Sequence, residues 1–163
     1  MKALVISDTH VRSGSEISKL ISIIKPYVSE ADIIIHAGDL VSRALINSLN
    51  DLKPTYAVSG NMDQYDVAQT LPQKMVFEFD SFKVGLTHGS GPATGLRERV
   101  FDLFQLDAVD AIIFGHSHQP YLGVQDGVLM LNPGSPTDTR FADRNTLAFL
   151  YADDKLRAEI IDI

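Results

Sequence analysis

Lys2-Ala3-Leu4-Val5-Ile6-Ser7-Asp8-Thr9-His10 is the stretch whose reading decides the fold of this chain. A short, branched apolar run that stops at a polar cluster is the pattern of a buried strand reaching an exposed sheet edge. The junction recurs along the sequence. Asp32-Ile-Ile-Ile-His-Ala37 runs into Gly38-Asp39, and Thr55-Tyr-Ala-Val-Ser59 into Gly60-Asn61. Lys83-Val-Gly-Leu-Thr87 runs into His88-Gly89, and Ala111-Ile-Ile-Phe114 into Gly115-His-Ser-His118. In an open α/β sheet the carboxyl ends of the strands line the binding crevice. Asp8, His10, Asp39, Asn61, His88, His116 and His118 are therefore expected on one edge. Oxygen and imidazole donors without thiolates suit hard or borderline divalent cations. These seven donors are too many for one tetrahedral ion with an open position and about right for two.

Outward from those junctions, the first half of the chain alternates strand and helix. Strand 2–7 leads to a helix near 14–25, where Ser13 and Glu16 have capping-box spacing and Ile17, Leu20, Ile21 and Ile24 form one stripe. Pro26 stops that helix or lies in its last turn. Strand 32–37 precedes a helix near 42–51 with Ser42 at its N-cap and Leu45, Leu49 and Leu52 on one face, and strand 54–59 follows. This βαβαβ order predicts parallel pairing. The second half reads as hairpins. Segments 75–79 and 82–86 flank Asp80-Ser81, 121–124 and 128–131 flank Gln125-Asp-Gly127, and 146–151 and 156–161 flank Ala152-Asp-Asp-Lys155. Between them lie a helix near 95–105, with Thr94 as N-cap and Leu96, Val100, Leu103 and Phe104 on one stripe, and strand 110–114. The expected architecture is an α/β fold with mixed strand pairing, in one sheet or two packed sheets, helices outside, and residues 1–163 forming a single domain.

Composition narrows the function. Forty-five per cent hydrophobic and 21% charged residues are ordinary for a globular protein, and no apolar run approaches a membrane span. Cysteine is absent, which removes disulfides, zinc ribbons and thiol catalysis. With no signal peptide at the N-terminus, the expected location is cytoplasmic. A net charge of −7 argues against nonspecific nucleic-acid binding. It leaves room for a phosphate substrate, because bound cations can invert the local field.

Each candidate ligand has a plainer reading. Asp8 alone suits an N-cap or Asx-turn, although in an extended segment Asp8 and His10, two apart, would face the same way. Asp39 alone suits a turn, yet one carboxylate can bridge two ions, and Gly38 before it permits close backbone approach. Gly60-Asn61 alone is a turn, though Asn offers a cation its carbonyl oxygen and a phosphate its N–H₂. A lone histidine is usually an ordinary half-buried residue, but His88 beside Gly89 and the His116-x-His118 pair, a good chelate, are harder to dismiss. The joint argument outweighs the parts, since turn chemistry alone would not put metal-competent residues after five strands. His36, inside an apolar run, is expected to be buried and hydrogen-bonded behind the site rather than to bind an ion. The segment from Gly89 to Gly95 resembles a phosphate loop but fits neither Gly-rich nucleotide fingerprint.

Taken in order, Asp8-Thr-His10, Gly38-Asp39, Gly60-Asn61, His88-Gly89 and Gly115-His-Ser-His118 resemble the motif set of the calcineurin-like metallophosphoesterases. Asn132-Pro-Gly-Ser135 and the short chain point to the small phosphodiesterase branch, which also contains the retromer subunit Vps29. The resemblance implies two packed mixed β-sheets flanked by helices. It implies that Asp8, His10, Asp39 and His118 hold one divalent ion and Asp39, Asn61, His88 and His116 a second, with Asp39 bridging. The implied reaction is hydrolysis of phosphodiesters by a hydroxide between the ions. Manganese is the first expectation for the metal, with nickel, iron, zinc and magnesium as alternatives. The expected partner is a small phosphodiester, with neither membrane nor specific nucleic acid, and by resemblance a second copy of the chain. One position departs from the pattern. Many relatives carry His after the Gly-Asn pair, where this chain has Met62, which favours diesters or activated esters over monoesters with poor leaving groups. Asp63 keeps the acidic residue of the small branch and joins Asn61 in the catalytic set. It either assists protonation or orients a ligand, with a turn cap as the alternative. Competing functions are a protein-interaction scaffold, which has no need of all seven ligands, and a nuclease, for which no basic stripe is visible.

Overall fold

The computed structural model describes residues 1–163. Its elements are β1 (Lys2–Ile6), α1 (Gly14–Val28), β2 (Ile33–His36), α2 (Arg43–Leu52), β3 (Thr55–Ala57), α3 (Tyr65–Thr70), β4 (Lys74–Phe79), β5 (Phe82–Thr87), α4 (Leu96–Leu103), β6 (Ala111–Ile113), β7 (Tyr121–Gln125), β8 (Val128–Asn132), β9 (Thr146–Ala152) and β10 (Leu156–Asp162). They build two five-stranded sheets, ordered β10-β9-β1-β2-β3 and β4-β5-β6-β8-β7. Both are mixed. β1, β2 and β3 pair in parallel while β9 runs antiparallel to β1. β5, β6 and β8 pair in parallel while β4 and β7 are antiparallel hairpin partners at the edges.

Side-chain alternation along a strand explains the layering. From β1, Ala3 and Val5 face the second sheet and meet Val84, Leu86, Ile113 and Leu131 in the central core. Leu4 and Ile6 face outward, where Leu20 and Ile24 of α1 and Leu45 and Leu49 of α2 cover them. On the far side Leu96, Val100 and Phe104 cover Ile112 and Met130. A strand buried on both faces reads as a continuous apolar run, and β1 shows no exposure from Ala3 to Ile6.

Helix starts follow the sequence in two cases. Ser13 and Glu16 form the capping box of α1, Pro26 sits inside its last turn, and Ser42 caps α2 by accepting from the Ala44 N–H. Three details differ. Gly95, with φ 75°, and not Thr94, is the N-cap of α4. Leu52 and Leu103, expected on buried stripes, are 36% and 45% exposed at the last positions of their helices, where the covered face runs out. The short α3 is unforeseen, because its six residues bury only Val67 and hold no period long enough to read.

Candidate metal centre

Every one of the seven candidate ligands lies at the carboxyl end of a strand. Asp8 and His10 follow β1, Asp39 follows β2 and Asn61 follows β3, while His88 follows β5 and His116 and His118 follow β6. The site thus sits on the seam between the sheets, with ligands from each. Asp8 and His10 do not face one side by extended geometry. Asp8, His10, Asp39, His116 and His118 all have positive φ, between 49° and 72°. Each left-handed residue costs ~1–3 kcal/mol unless its surroundings enforce it, and such residues gather at functional sites. Here the strands end early, and the turns swing the side chains inward.

The donor atoms converge closely. His10 Nε2 and His118 Nε2 lie 3.1 Å apart, and His118 Nε2 is 3.3 Å from Asp8 Oδ1. His88 Nε2 is 3.4 Å from Asp39 Oδ2, 3.8 Å from Asp8 Oδ1 and 3.2 Å from Asn61 Oδ1. Asp39 Oδ2 also lies 3.7 Å from His10 Nε2, and Asn61 Oδ1 is 3.0 Å from His116 Nδ1. Two overlapping groups with metal-ligand spacing result, Asp8-His10-His118 and Asp8-Asp39-His88. Asp8 is common to both, and Asp39 faces a histidine of each. Exposure rises from Asp8, fully buried, to Asn61 at the open rim.

Hydrogen bonds behind the donors fix how two rings present themselves. The His88 Nδ1–H donates to the Ala37 carbonyl at 2.7 Å, and the His116 Nε2–H donates to the Gly91 carbonyl at 2.7 Å. The shorter contact of each ring is to a carbonyl, which only accepts, so the proton is assigned there. The opposite nitrogen then meets Asn61 Oδ1, also an acceptor, lone pair to lone pair, an arrangement that a cation between them relieves. His118 Nδ1 lies 3.4 Å from Asp138 Oδ2. Asp138 is itself gripped by the Arg140 guanidinium, which holds its carboxyl down at about 2. Asp8 Oδ2 accepts from Ser7 Oγ–H at 2.7 Å and the His116 N–H at 3.0 Å, while Asp8 Oδ1, buried among histidines, has no hydrogen-bond partner. Burial pushes the Asp8 carboxyl up to about 7 and pulls His118 down to about 4. Burial also opposes the Asp39 carboxylate, but His88 beside it holds it below the usual range. A buried carboxylate oxygen without a donor, facing the ring nitrogens of His118 and His88, is a donor set that a divalent cation satisfies.

Asp63 supports the site from below. Its Oδ2 accepts from the Gly60 N–H at 2.7 Å and its Oδ1 from the Val41 N–H at 2.5 Å, joining the Asp39 and Asn61 loops. Val41, β-branched with φ 73°, is the kind of residue that needs such a clamp. Met62 contributes through its main chain, whose N–H donates to Asp39 Oδ1 at 2.8 Å, and its side chain is 47% exposed. His36 is fully buried with Nε2 3.0 Å from Thr9 Oγ1, behind the ligands as expected.

The sequence reading missed the buckle formed by residues 132–138. Asn132 Nδ2–H donates to the Gly115 carbonyl at 2.8 Å, Ser135 Oγ–H to the Asp8 carbonyl at 2.8 Å and Thr137 Oγ1–H to the Thr9 carbonyl at 2.7 Å. The segment thereby ties the two ligand loops together. Gly115 makes this packing feasible, because a Cβ there would strike Ser7 Oγ and come within 2.8 Å of Asp8 Oδ2. Asn132-Pro-Gly-Ser135 stands out in the sequence only by its resemblance to the small branch, with no role attached, and nothing in the sequence marks Asp138 or Arg140. Two grooves open from the site. One of about 400 Å³ runs past His10, Lys19, Ile23, Arg140 and Asn145, and one of about 380 Å³ runs past Asn61, His88, Gln73, Lys74 and Ser90.

The chain as a whole is similar to known proteins. The model of the calcineurin-like phosphoesterase superfamily domain matches residues 1–155. A probable metallophosphoesterase of Methanothermobacter thermautotrophicus is 36% identical over 157 residues, covering 96% of this chain and 90% of the relative. A phosphodiesterase of Methanocaldococcus jannaschii is 27% identical over 147 residues, covering 82% and 83% of the two chains. The crystal structure of Entamoeba histolytica Vps29 with zinc has a TM-score of 0.76 at 24% identity over 99% of both chains, a likeness of fold. With the family model spanning nearly the whole sequence and the donor cluster in place, the chain belongs to the calcineurin-like phosphoesterase superfamily, a family of metal-dependent phosphoester hydrolases.

Proposed function

We propose that this protein hydrolyses phosphodiesters at a two-ion centre, held by Asp8, His10, Asp39 and His118 on one side and Asp39, Asn61, His88 and His116 on the other. The observation that carries the reading is Asp8 Oδ1, buried and without a donor between the Nε2 atoms of His118 and His88. When bound, divalent ions supply Lewis acidity toward the phosphoryl oxygens and lower the pKa of water. The chain's own residues do the rest. Asp39 faces both halves and sets their spacing. Asn61, at the exposed rim, keeps its N–H₂ for a phosphoryl oxygen while its Oδ1 faces the histidines. Asp63 orients rather than protonates, since both its oxygens are occupied by backbone amides.

A diester rather than a monoester is supported by two features. A diester has two arms, and two grooves of similar volume leave the site past different ligands. No imidazole stands at Met62 to protonate a poor leaving group. The jannaschii relative, a phosphodiesterase, points the same way. The scaffold reading rests on the fold likeness to Vps29 and leaves a complete ligand set unexplained. Manganese remains the first metal to test.

The test pairs metal content with turnover. Purified protein should bind two Mn²⁺ per chain and cleave bis(p-nitrophenyl) phosphate in preference to alkyl monoesters. Asp39→Asn should lose ions from both sides and nearly all activity. Hydrolysis by chelated, metal-free protein, or normal turnover by Asp39→Asn, would overturn the proposal.

A further inference from the structure

The loop from His88 to Gly95 has no regular structure, and one surface side chain holds it in shape. Arg99, near the start of α4, folds its guanidinium back across the loop. Its Nε–H and Nη2–H donate to the Ser90 carbonyl at 3.1 and 2.9 Å, Nη1–H to the Thr94 carbonyl at 3.0 Å, and Nη2–H also to the Pro92 carbonyl. His88 at its start is tied down through its ring to the Ala37 carbonyl at 2.7 Å and through its own carbonyl, which accepts from the Gly115 N–H at 3.1 Å. Beyond it, apart from the His116 bond, the ties are slight, such as the Gly89 N–H to Thr87 Oγ1 at 3.4 Å and the Leu96 N–H to the Ala93 carbonyl at 3.2 Å. Between the Arg99-bound carbonyls of Ser90 and Pro92 lies the Gly91 carbonyl that accepts from His116 Nε2–H.

We propose that Arg99 is a positioning residue for the ion held by Asn61, His88 and His116, acting through the Gly91 carbonyl on the His116 tautomer. The proposal rests on the two-ion reading for its consequence, though the tautomer itself can be observed without metal. Free neutral imidazole exchanges its proton between the two nitrogens. Only the form with hydrogen on Nε2 offers Nδ1 as a ligand beside Asn61 Oδ1. A loop this rich in glycine does not hold one carbonyl in place unaided. The planar guanidinium reaches three carbonyls at once, which the compact lysine ammonium cannot do.

The experiment uses the full chain as wild type, Arg99→Ala and Arg99→Lys. In metal-free protein, imidazole ¹⁵N shifts should show His116 as a single Nε2–H tautomer in wild type and as a mixture in both variants. Calorimetric titration with Mn²⁺ should show two sites in wild type. In Arg99→Ala one site should keep its affinity and the other should weaken about 10–100-fold, the usual effect of removing an outer partner of a ligand. Arg99→Lys should recover little of the loss. An unchanged tautomer in Arg99→Ala overturns the proposal, as do two sites of wild-type affinity or equal weakening of both. Wild-type protein that binds one ion, with the tautomer responding as stated, instead overturns the two-ion reading.

Discussion

Gly60→Ala tests the ligand geometry with the smallest change available. Gly60 lies three residues beyond β3, beside Asp39, and its φ is not in the left-handed region, so backbone conformation is no obstacle to alanine. The obstacle is space. An added Cβ would strike Asp39 Oδ1 and lie 2.5 Å from Asp39 N and 2.8 Å from its Cγ. A main-chain nitrogen cannot rotate away, so the loops after β2 and β3 must separate. Overpacking of this kind costs ~1–3 kcal/mol. Separation also breaks the Met62 N–H bond to Asp39 Oδ1, now 2.8 Å, and a hydrogen bond to a charged group contributes ~1.5–3 kcal/mol. The sum, about 2.5–6 kcal/mol, is a large part of the ~5–15 kcal/mol that holds a typical domain together. For a chain of this size it corresponds to a fall in Tm of roughly 5–24 °C. Because Asp39 moves, Mn²⁺ affinity should fall ~10–100-fold as well. Urea denaturation of metal-free protein measures the first effect, and calorimetric titration the second. A variant within ~0.5 kcal/mol of wild type, the range of a neutral surface change, that also binds Mn²⁺ normally would refute the packing argument.

Asp138→Asn should leave the fold intact and weaken Mn²⁺ binding at the His10–His118 side ~10–100-fold, by removing the charge behind His118; competition with a fluorescent chelator reads it. Burial holds His36 at about 3 against an ordinary 6.5. The unfolded chain therefore binds a proton below pH 6.5 that the folded chain refuses until about pH 3. Stability should drop by up to ~1.4 kcal/mol per unit as pH falls through that window. Urea midpoints at pH 7 and 5 should show a smaller drop in His36→Gln than in wild type, and equal drops would clear His36 of the effect. Met62→His should raise kcat/KM for alkyl monoesters relative to aryl diesters, by far less than the ~10²–10⁴-fold of an evolved acid. An unchanged ratio, with metal content and fold intact, would mean that positioning sets the preference.

The site was legible because its residues follow strands whose apolar runs are themselves legible. Val5 and Ile35 mark the strands, and Asp8 and Asp39 stand a few residues beyond them. What stayed hidden is what has no period. The left-handed turns at Asp8 and His118 have no period to announce them, although Asp and His adopt that conformation more readily than most residues. Asp138 reaches His118 from a loop with no pattern, 20 positions along the chain. Thr94 looked like a cap because it precedes an apolar stripe, yet Gly95 takes the role by adopting φ 75°.

The first sheet joins distant parts of the sequence, for β1 lies between β2 and β9, and β10 closes the edge. This carries a consequence for synthesis. Asp8 is made early, but its strand lacks one of its two neighbours until residues 146–152 exist, and the Ser135 hydroxyl that braces the Asp8 carbonyl comes 127 positions later. Pairings between such remote segments form slowly, after much loop-closure entropy has been lost. Until β9 has been made, the growing chain therefore carries its carboxylates and imidazoles present but unassembled. Ion capture follows that pairing, and the metal acquired is set by what the surroundings offer at that moment.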